Sequence, residues 1–140
     1  MGKGRLVVVS NRLPALEETR LWKSSRVSPA GGLVSAVLPA MKSWGEGIWM
    51  GWSGHSVENR RSSAIQETSY PYMQLVRIDL TEREVEAYYN GFCNRTLWPM
   101  FHCFQARIRV DQGEEETYFE VNRKFSRVLR GFLGPEDIVW

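Results

Sequence analysis

The sequence predicts an α/β domain built on a Rossmann-like parallel sheet with flanking helices, and three observations carry that prediction. Leu6-Val7-Val8-Val9 is an unbroken apolar run with no polar alternation, the pattern of a strand buried on both faces of a parallel sheet. Strand-like and helix-like segments then alternate, which argues for a parallel sheet with helices on both sides. With 140 residues and 43% hydrophobic content, the chain can bury one sizeable core but is short for a two-domain enzyme.

Each element follows in order. Leu6–Val9 reads as the first, central strand. From Pro14 to Ala30 the pattern dissolves into charges, Ser and Pro, predicting a long loop above the carboxyl end of that strand, where α/β sheets place ligands. Gly31-Gly32 opens a helix through about Trp44, with Leu33, Val34, Val37, Leu38 and Met41 along one face. A second strand is expected near Ile48–Trp52, and the polar, turn-like stretch from His55 to Ser69 as a surface connection.

Met73–Leu80 reads as a further strand. Thr81, with Glu84 three positions on, forms a capping box that starts a helix into Tyr88 and Tyr89, and Asn90-Gly91 is expected to end or break it. A last helix over roughly Thr117–Phe132 places Tyr118, Val121, Phe125, Val128, Leu129 and Phe132 at helical spacing. Gly134-Pro135 stops it, and Asp137-Ile138-Val139-Trp140 begins a new buried strand at which the sequence ends. A domain rarely stops inside a buried strand, so the chain is expected to be a piece of a longer protein; the alternative is a short protein whose last strand lies at a sheet edge.

Composition excludes several classes. The 18 basic and 16 acidic side chains give a formal charge of +2, too small and too scattered for a nucleic-acid partner. Cys93 and Cys103 have no second pair, fitting neither a zinc site nor a disulfide scaffold, and read as reduced thiols. No apolar run approaches the roughly 20 residues that span a bilayer, and no signal peptide is recognisable, so a cytoplasmic protein without membrane contact is expected.

The stretch from Tyr88 to His102 is the most informative, because Tyr88, Tyr89, Phe92, Trp98, Phe101 and His102 alternate there with amides and hydroxyls. Rings with polar tips suit a sugar, which offers apolar C–H faces and a rim of hydroxyls; a core helix whose rings fill space is the bland alternative. Arg12 lies just past the first strand, where a side chain points into the crevice above the sheet and a guanidinium can hold a phosphate bidentately. A structural salt bridge is the competing role. Gly31 and Gly32 let the backbone approach an anion at a helix N-terminus, although such a pair alone is more often a joint. The chain departs from Gly-x-Gly-x-x-Gly, which counts against NAD or FAD, and no cofactor is expected.

Four blocks, Arg5-Leu6-Val7-Val8-Val9-Ser10-Asn11-Arg12-Leu13-Pro14, Gly31-Gly32-Leu33-Val34, Gly51-Trp52-Ser53-Gly54 and Tyr88–His102, occur in the order and approximate spacing of one family. The chain resembles the N-terminal part of trehalose-6-phosphate synthases, retaining glycosyltransferases of the two-domain GT-B architecture, over nearly its whole length. The resemblance implies an incomplete N-terminal acceptor-side domain over residues 1–140, with the C-terminal donor domain absent. By resemblance, Arg12, Tyr89 and Trp98 bind the acceptor glucose-6-phosphate: Arg12 and the Tyr89 phenol at its phosphate, the Trp98 indole against its sugar. Gly31 and Gly32 would touch the donor UDP-glucose. Trp52 is a weaker candidate, since glycine-flanked tryptophans often only fill a turn, and His102 reads as a satisfied structural histidine.

No pair of carboxylates stands out as a nucleophile and acid/base couple. The family is thought to need no protein nucleophile, and its acceptor-binding Asp and the His at its reaction centre follow the segment matched by Asp137–Trp140. No catalytic residue is therefore assigned within the chain, and these residues alone are expected to be inactive. The implied reaction transfers glucose from UDP-glucose to glucose-6-phosphate, giving trehalose-6-phosphate and UDP. Two alternatives stand beside it: a glucosylglycerol-phosphate synthase, separable by acceptor competition, and a non-catalytic sugar-phosphate-binding regulatory module, which would bind glucose-6-phosphate without releasing UDP. Family members are often oligomeric, which leaves a homo-oligomer open, but no self-complementary stripe is exposed in the sequence.

Overall fold

The computed structural model describes residues 4–13, 32–58, 66–70 (backbone only) and 72–140. They divide into two compact units, one within Met1–His55, Ala64–Ile78 and Phe132–Trp140, the other within Ser56–Ser63 and Asp79–Gly131. The expected Pro14–Ala30 loop and Gly31 lie outside the described residues.

The first unit holds a five-stranded sheet of order β3-β4-β2-β1-β5. Strand β1 (Leu6–Arg12) pairs in parallel with both β2 (Gly47–Val57) and β5 (Ile138–Val139), so the apolar run is a central strand as expected. Between β1 and β2 the chain forms helix α1 (Gly32–Trp44), whose Val37 and Met41 are buried with Leu6, Val8, Leu13, Trp49, Met73 and Leu75. Each fully buried apolar side chain of this kind contributes about 1.5–3 kcal/mol relative to exposure. Leu33, assigned to the same face, is 54% exposed: it lies in the first turn, beyond the reach of the cluster. Gly45, at φ +97°, closes α1 by donating its N–H to the Met41 carbonyl (3.1 Å), a left-handed cap that favours glycine.

Two expectations for this unit need correction. The stretch from His55 to Ser69 is not all connection: β2 continues to Val57, and β3 (Gln66–Tyr70) pairs antiparallel with β4 (Met73–Thr81), making the sheet mixed rather than wholly parallel. The Gln-Glu-Thr-Ser-Tyr sequence of β3 lacks apolar alternation because the strand lies at the sheet edge. At the opposite edge, Ile138 and Val139 of β5 are 50% and 48% exposed, so the last strand is not buried.

The second unit is helical. The Thr81–Glu84 capping box is present in both directions: the Thr81 hydroxyl accepts from the Glu84 N–H (3.2 Å), and the Glu84 carboxylate accepts from the Thr81 N–H (2.8 Å). It opens the short helix α2 (Glu82–Glu84), which passes directly into a π-helix over Val85–Leu97 and then into α3 (Trp98–Phe101). Asn90-Gly91 neither ends nor breaks this run. Gly91 is buried, and a Cβ there would stand 2.6 Å from Cδ of Glu114, so the glycine makes room for a carboxylate arriving from another helix. That helix, α4 (Gln112–Arg130), starts five residues before the expected Thr117, because Asp111 caps it by accepting from the Glu114 N–H (3.0 Å). The polar first turn carries no apolar period from which this start could be read.

Helices within the unit are tied by rings and charges. Tyr118 of α4 stacks on Tyr88 (5.7 Å between centroids) and packs against Phe92 (4.9 Å). Arg95 pairs with Glu114 (2.7 Å) and Glu86 (3.3 Å), while Lys124 reaches the buried Glu84 (3.1 Å) and the Asp79 carbonyl (2.6 Å). Among the described residues, no helix is long and apolar enough to cross a membrane.

Candidate functional site

In the first unit Arg12 and Trp52 meet at the carboxyl end of β1. The register between β1 and β2 steps from Val9↔Met50 to Arg12↔Trp52, three residues against two, which is a bulge. Bulges re-aim side chains and recur beside active sites. The indole N–H of Trp49 donates to the Ser10 hydroxyl (2.9 Å), and that hydroxyl donates to the Arg12 carbonyl (2.9 Å), fixing the backbone on which Arg12 stands. The Leu13 N–H donates to the Trp52 carbonyl (2.9 Å), holding the chain just beyond.

Arg12 is exposed, and its guanidinium carbon lies 5.9 Å from the centroid of the Trp52 ring, a cation–π approach. The Trp52 indole N–H is itself anchored to the His55 carbonyl (2.8 Å). No carboxylate among the described residues pairs with Arg12. The structure thus brings Arg12 and Trp52 together and gives Trp52 a supporting position. Gly32 is the first residue of α1, exposed, with nothing among the described residues within 4 Å of where a Cβ would lie and no acidic residue in the first turn. An N-terminus of that kind leaves its N–H groups approachable by an anion.

In the second unit, Tyr89 and Trp98 lie nine residues apart, on and just past the π-helix. Nine residues make two and a half turns at 3.6 residues per turn, which would set the pair on opposite faces of an α-helix. When each N–H reaches back five residues a turn takes roughly 4.4, and nine residues close about two whole turns. The Trp98 N–H does reach back to the Cys93 carbonyl, five residues before it. The wide winding therefore sets the two backbone positions at nearly the same angle around the helix. Glu84, Tyr88, Gly91, Phe92 and Thr96 are buried, whereas Tyr89 is half-buried and Trp98 47% exposed.

Tyr88, the neighbouring phenol, belongs to the packing, and burial pushes its hydroxyl well above the ordinary tyrosine range. Trp98 stacks on His102, with centroids 4.1 Å apart and planes 20° apart. His102 is exposed, and its ring nitrogen is bonded to the backbone. Sequence reasoning missed Ser10 and Trp49 as supports of Arg12; a lone hydroxyl between Val9 and Asn11 was the available signal. Among the described residues no three His, Cys, Asp or Glu side chains are grouped to hold a metal.

The profile of glycosyltransferase family 20 matches residues 4–140. The trehalose-6-phosphate synthase of Sinorhizobium fredii is 38% identical over 136 residues, covering 97% of this chain and 28% of the relative. A crystal structure of an alpha,alpha-trehalose-phosphate synthase (UDP-forming) from Burkholderia vietnamiensis matches with a TM-score of 0.85 at 37% identity, over 99% of this chain and 28% of that one. The enzyme of the same name from Burkholderia xenovorans, in complex with glucose-6-phosphate, matches with a TM-score of 0.81 at 32% identity, over 98% and 27%. Strand order, bulged first strand and these matches define an α/β glycosyltransferase domain of the Rossmann-like, N-terminal GT-B kind. The chain spans 28% of the length of the first of these relatives. It belongs to glycosyltransferase family 20.

Proposed function

We propose that these residues form the acceptor-side part of a trehalose-6-phosphate synthase, which transfers glucose from UDP-glucose to glucose-6-phosphate with retention. The observation that carries the reading is the likeness along nearly the whole chain to proteins of that name at 37–38% identity. An exposed guanidinium on a fixed backbone, with no carboxylate partner among the described residues, supports an acceptor bearing a phosphate. In the reaction, the bond from the glucosyl carbon to UDP breaks as a hydroxyl of the acceptor bonds to that carbon. The hydroxyl proton passes to the departing diphosphate.

The chain's part is positioning rather than bond-making. Arg12 holds the acceptor phosphate, Tyr89 donates its phenol hydrogen to that phosphate, and Trp98 bounds the sugar ring, with Trp52 supporting Arg12 from below. Gly31 and Gly32 admit the donor close to the backbone. The acceptor and donor are the partners, and the protein acts in the cytoplasm.

UDP release by the protein at its natural length tests the reading, with UDP-glucose and either glucose-6-phosphate or glycerol-3-phosphate. Release with glucose-6-phosphate at least tenfold above that with glycerol-3-phosphate is expected. Release with glycerol-3-phosphate alone, or tight glucose-6-phosphate binding with no release, would overturn it.

A further inference from the structure

We propose that His102 is a positioning residue that holds the Trp98 indole in its binding orientation, an inference resting on the reading of Trp98 as an acceptor contact. The two residues are one helical turn apart, at the spacing that brings side chains together. Their rings lie 4.1 Å apart at 20°, so the imidazole covers one face of the indole. His102 is fastened twice to the residue it covers: its backbone N–H donates to the Trp98 carbonyl (3.2 Å), and Nδ1 lies 2.8 Å from the same oxygen. A carbonyl oxygen only accepts, so Nδ1 carries the proton and the ring plane is set by that bond.

Further rings back the stack. Phe104 lies 5.7 Å from Trp98 and 6.4 Å from His102, nearly parallel to the latter at 12°, and the Arg107 guanidinium sits 5.6 Å over Phe104. These groups hold an indole that is still 47% exposed. The imidazole spends its polar atom on the backbone of its own stacking partner, which ties the ring to the residue it covers. Fixing an aromatic ring before binding removes the entropy of immobilising it later, which corresponds to about three- to tenfold in acceptor affinity.

The test uses the protein at its natural length and four variants: Trp98→Ala, His102→Ala, His102→Phe and His102→Gln. The Gln variant keeps a donor without the ring, and the Phe variant keeps a ring without the donor. Expected are a KM for glucose-6-phosphate raised about three- to tenfold by His102→Ala and His102→Gln, with the KM for UDP-glucose and kcat within twofold of wild type, and His102→Phe restoring most of the loss. In the Trp98→Ala background, His102→Ala should add less than twofold. If Trp98→Ala raises the acceptor KM but His102→Ala and His102→Gln leave it unchanged, or if the effects simply multiply, the inference is overturned while the Trp98 reading stands. An unchanged acceptor KM in Trp98→Ala alone overturns the Trp98 reading instead. Should His102→Ala fail to fold, the Phe and Gln pair decides by the same comparison.

Discussion

A Cβ on Gly54 would stand 2.7 Å from Nε of Arg12 and 2.9 Å from its Nη2, so the guanidinium occupies the space this glycine leaves empty. The same glycine has φ +88°, a conformation that side-chain-bearing residues rarely adopt. Gly54 therefore serves Arg12 twice, by turning β2 and by leaving room.

Arg12→Ala should cost about 1.5–3 kcal/mol in transition-state stabilisation with glucose-6-phosphate, the worth of a hydrogen bond to a charged group. Gly54→Ala should act in the same direction on the acceptor, and should also lower stability by about 1–3 kcal/mol through backbone strain. Kinetics with glucose-6-phosphate and urea unfolding of both variants measure the two effects; a Gly54→Ala protein with wild-type acceptor kinetics would separate Gly54 from the site.

Asp137 supplies a pH dependence. Its carboxylate accepts from the Arg5 side chain (2.6 and 3.1 Å), the Arg5 N–H (3.1 Å) and the Gly134 N–H (2.8 Å), which together, led by the Arg5 side chain, lower its pKa to about 2. An unfolded Asp titrates near 3.9. The stabilisation is thus fully present above that value and is lost as pH falls from about 4 through 2. Roughly 1–2 kcal/mol is at stake once partial exposure of Arg5 is allowed for. Urea titrations between pH 6 and 2 should show a decline that Asp137→Asn flattens; an equal slope in both proteins would refute the assignment.

Lys124→Met should destabilise the second unit by about 1–3 kcal/mol, because it takes the ammonium from the buried Glu84 carboxylate while the Thr81 N–H stays. Adding Glu84→Gln should recover part of that loss by removing the buried charge while keeping an acceptor for Thr81. Chemical denaturation of the single and double variants checks this, and a double variant less stable than Lys124→Met would argue against it.

The cysteines should react at different rates. Cys103 is exposed, whereas Cys93 is half-buried and burial pushes its thiol upward, leaving less thiolate at neutral pH. A thiol reagent should modify Cys103 first, with Cys103→Ser abolishing the fast phase. Equal rates would contradict the described packing of Cys93.

Elements whose signal is local were legible in the sequence. The apolar β1 run, the Thr81–Glu84 box and the 3.6-residue face of α1 each declare themselves within a few residues. Elements that depend on a partner were not. Strand β3 exists because β4 offers it a ladder, and residue 91 is a glycine within a helix because Glu114 occupies the space of a side chain there. At the site, Arg12 and Trp98 were readable as residue types, but Gly54 beneath the guanidinium and His102 upon the indole are facts of packing.

The π-helix makes the pairing of Tyr89 with Trp98 a matter of segment length as much as of residue identity. Replacing an exposed side chain between them, such as Asn94, leaves the pair in phase. Losing a single residue from the segment would let it relax to an ordinary α-helix, with eight residues at 3.6 per turn leaving the two rings about a quarter of a turn apart. Between these two rings, a gap in an alignment would weigh more than a mismatch.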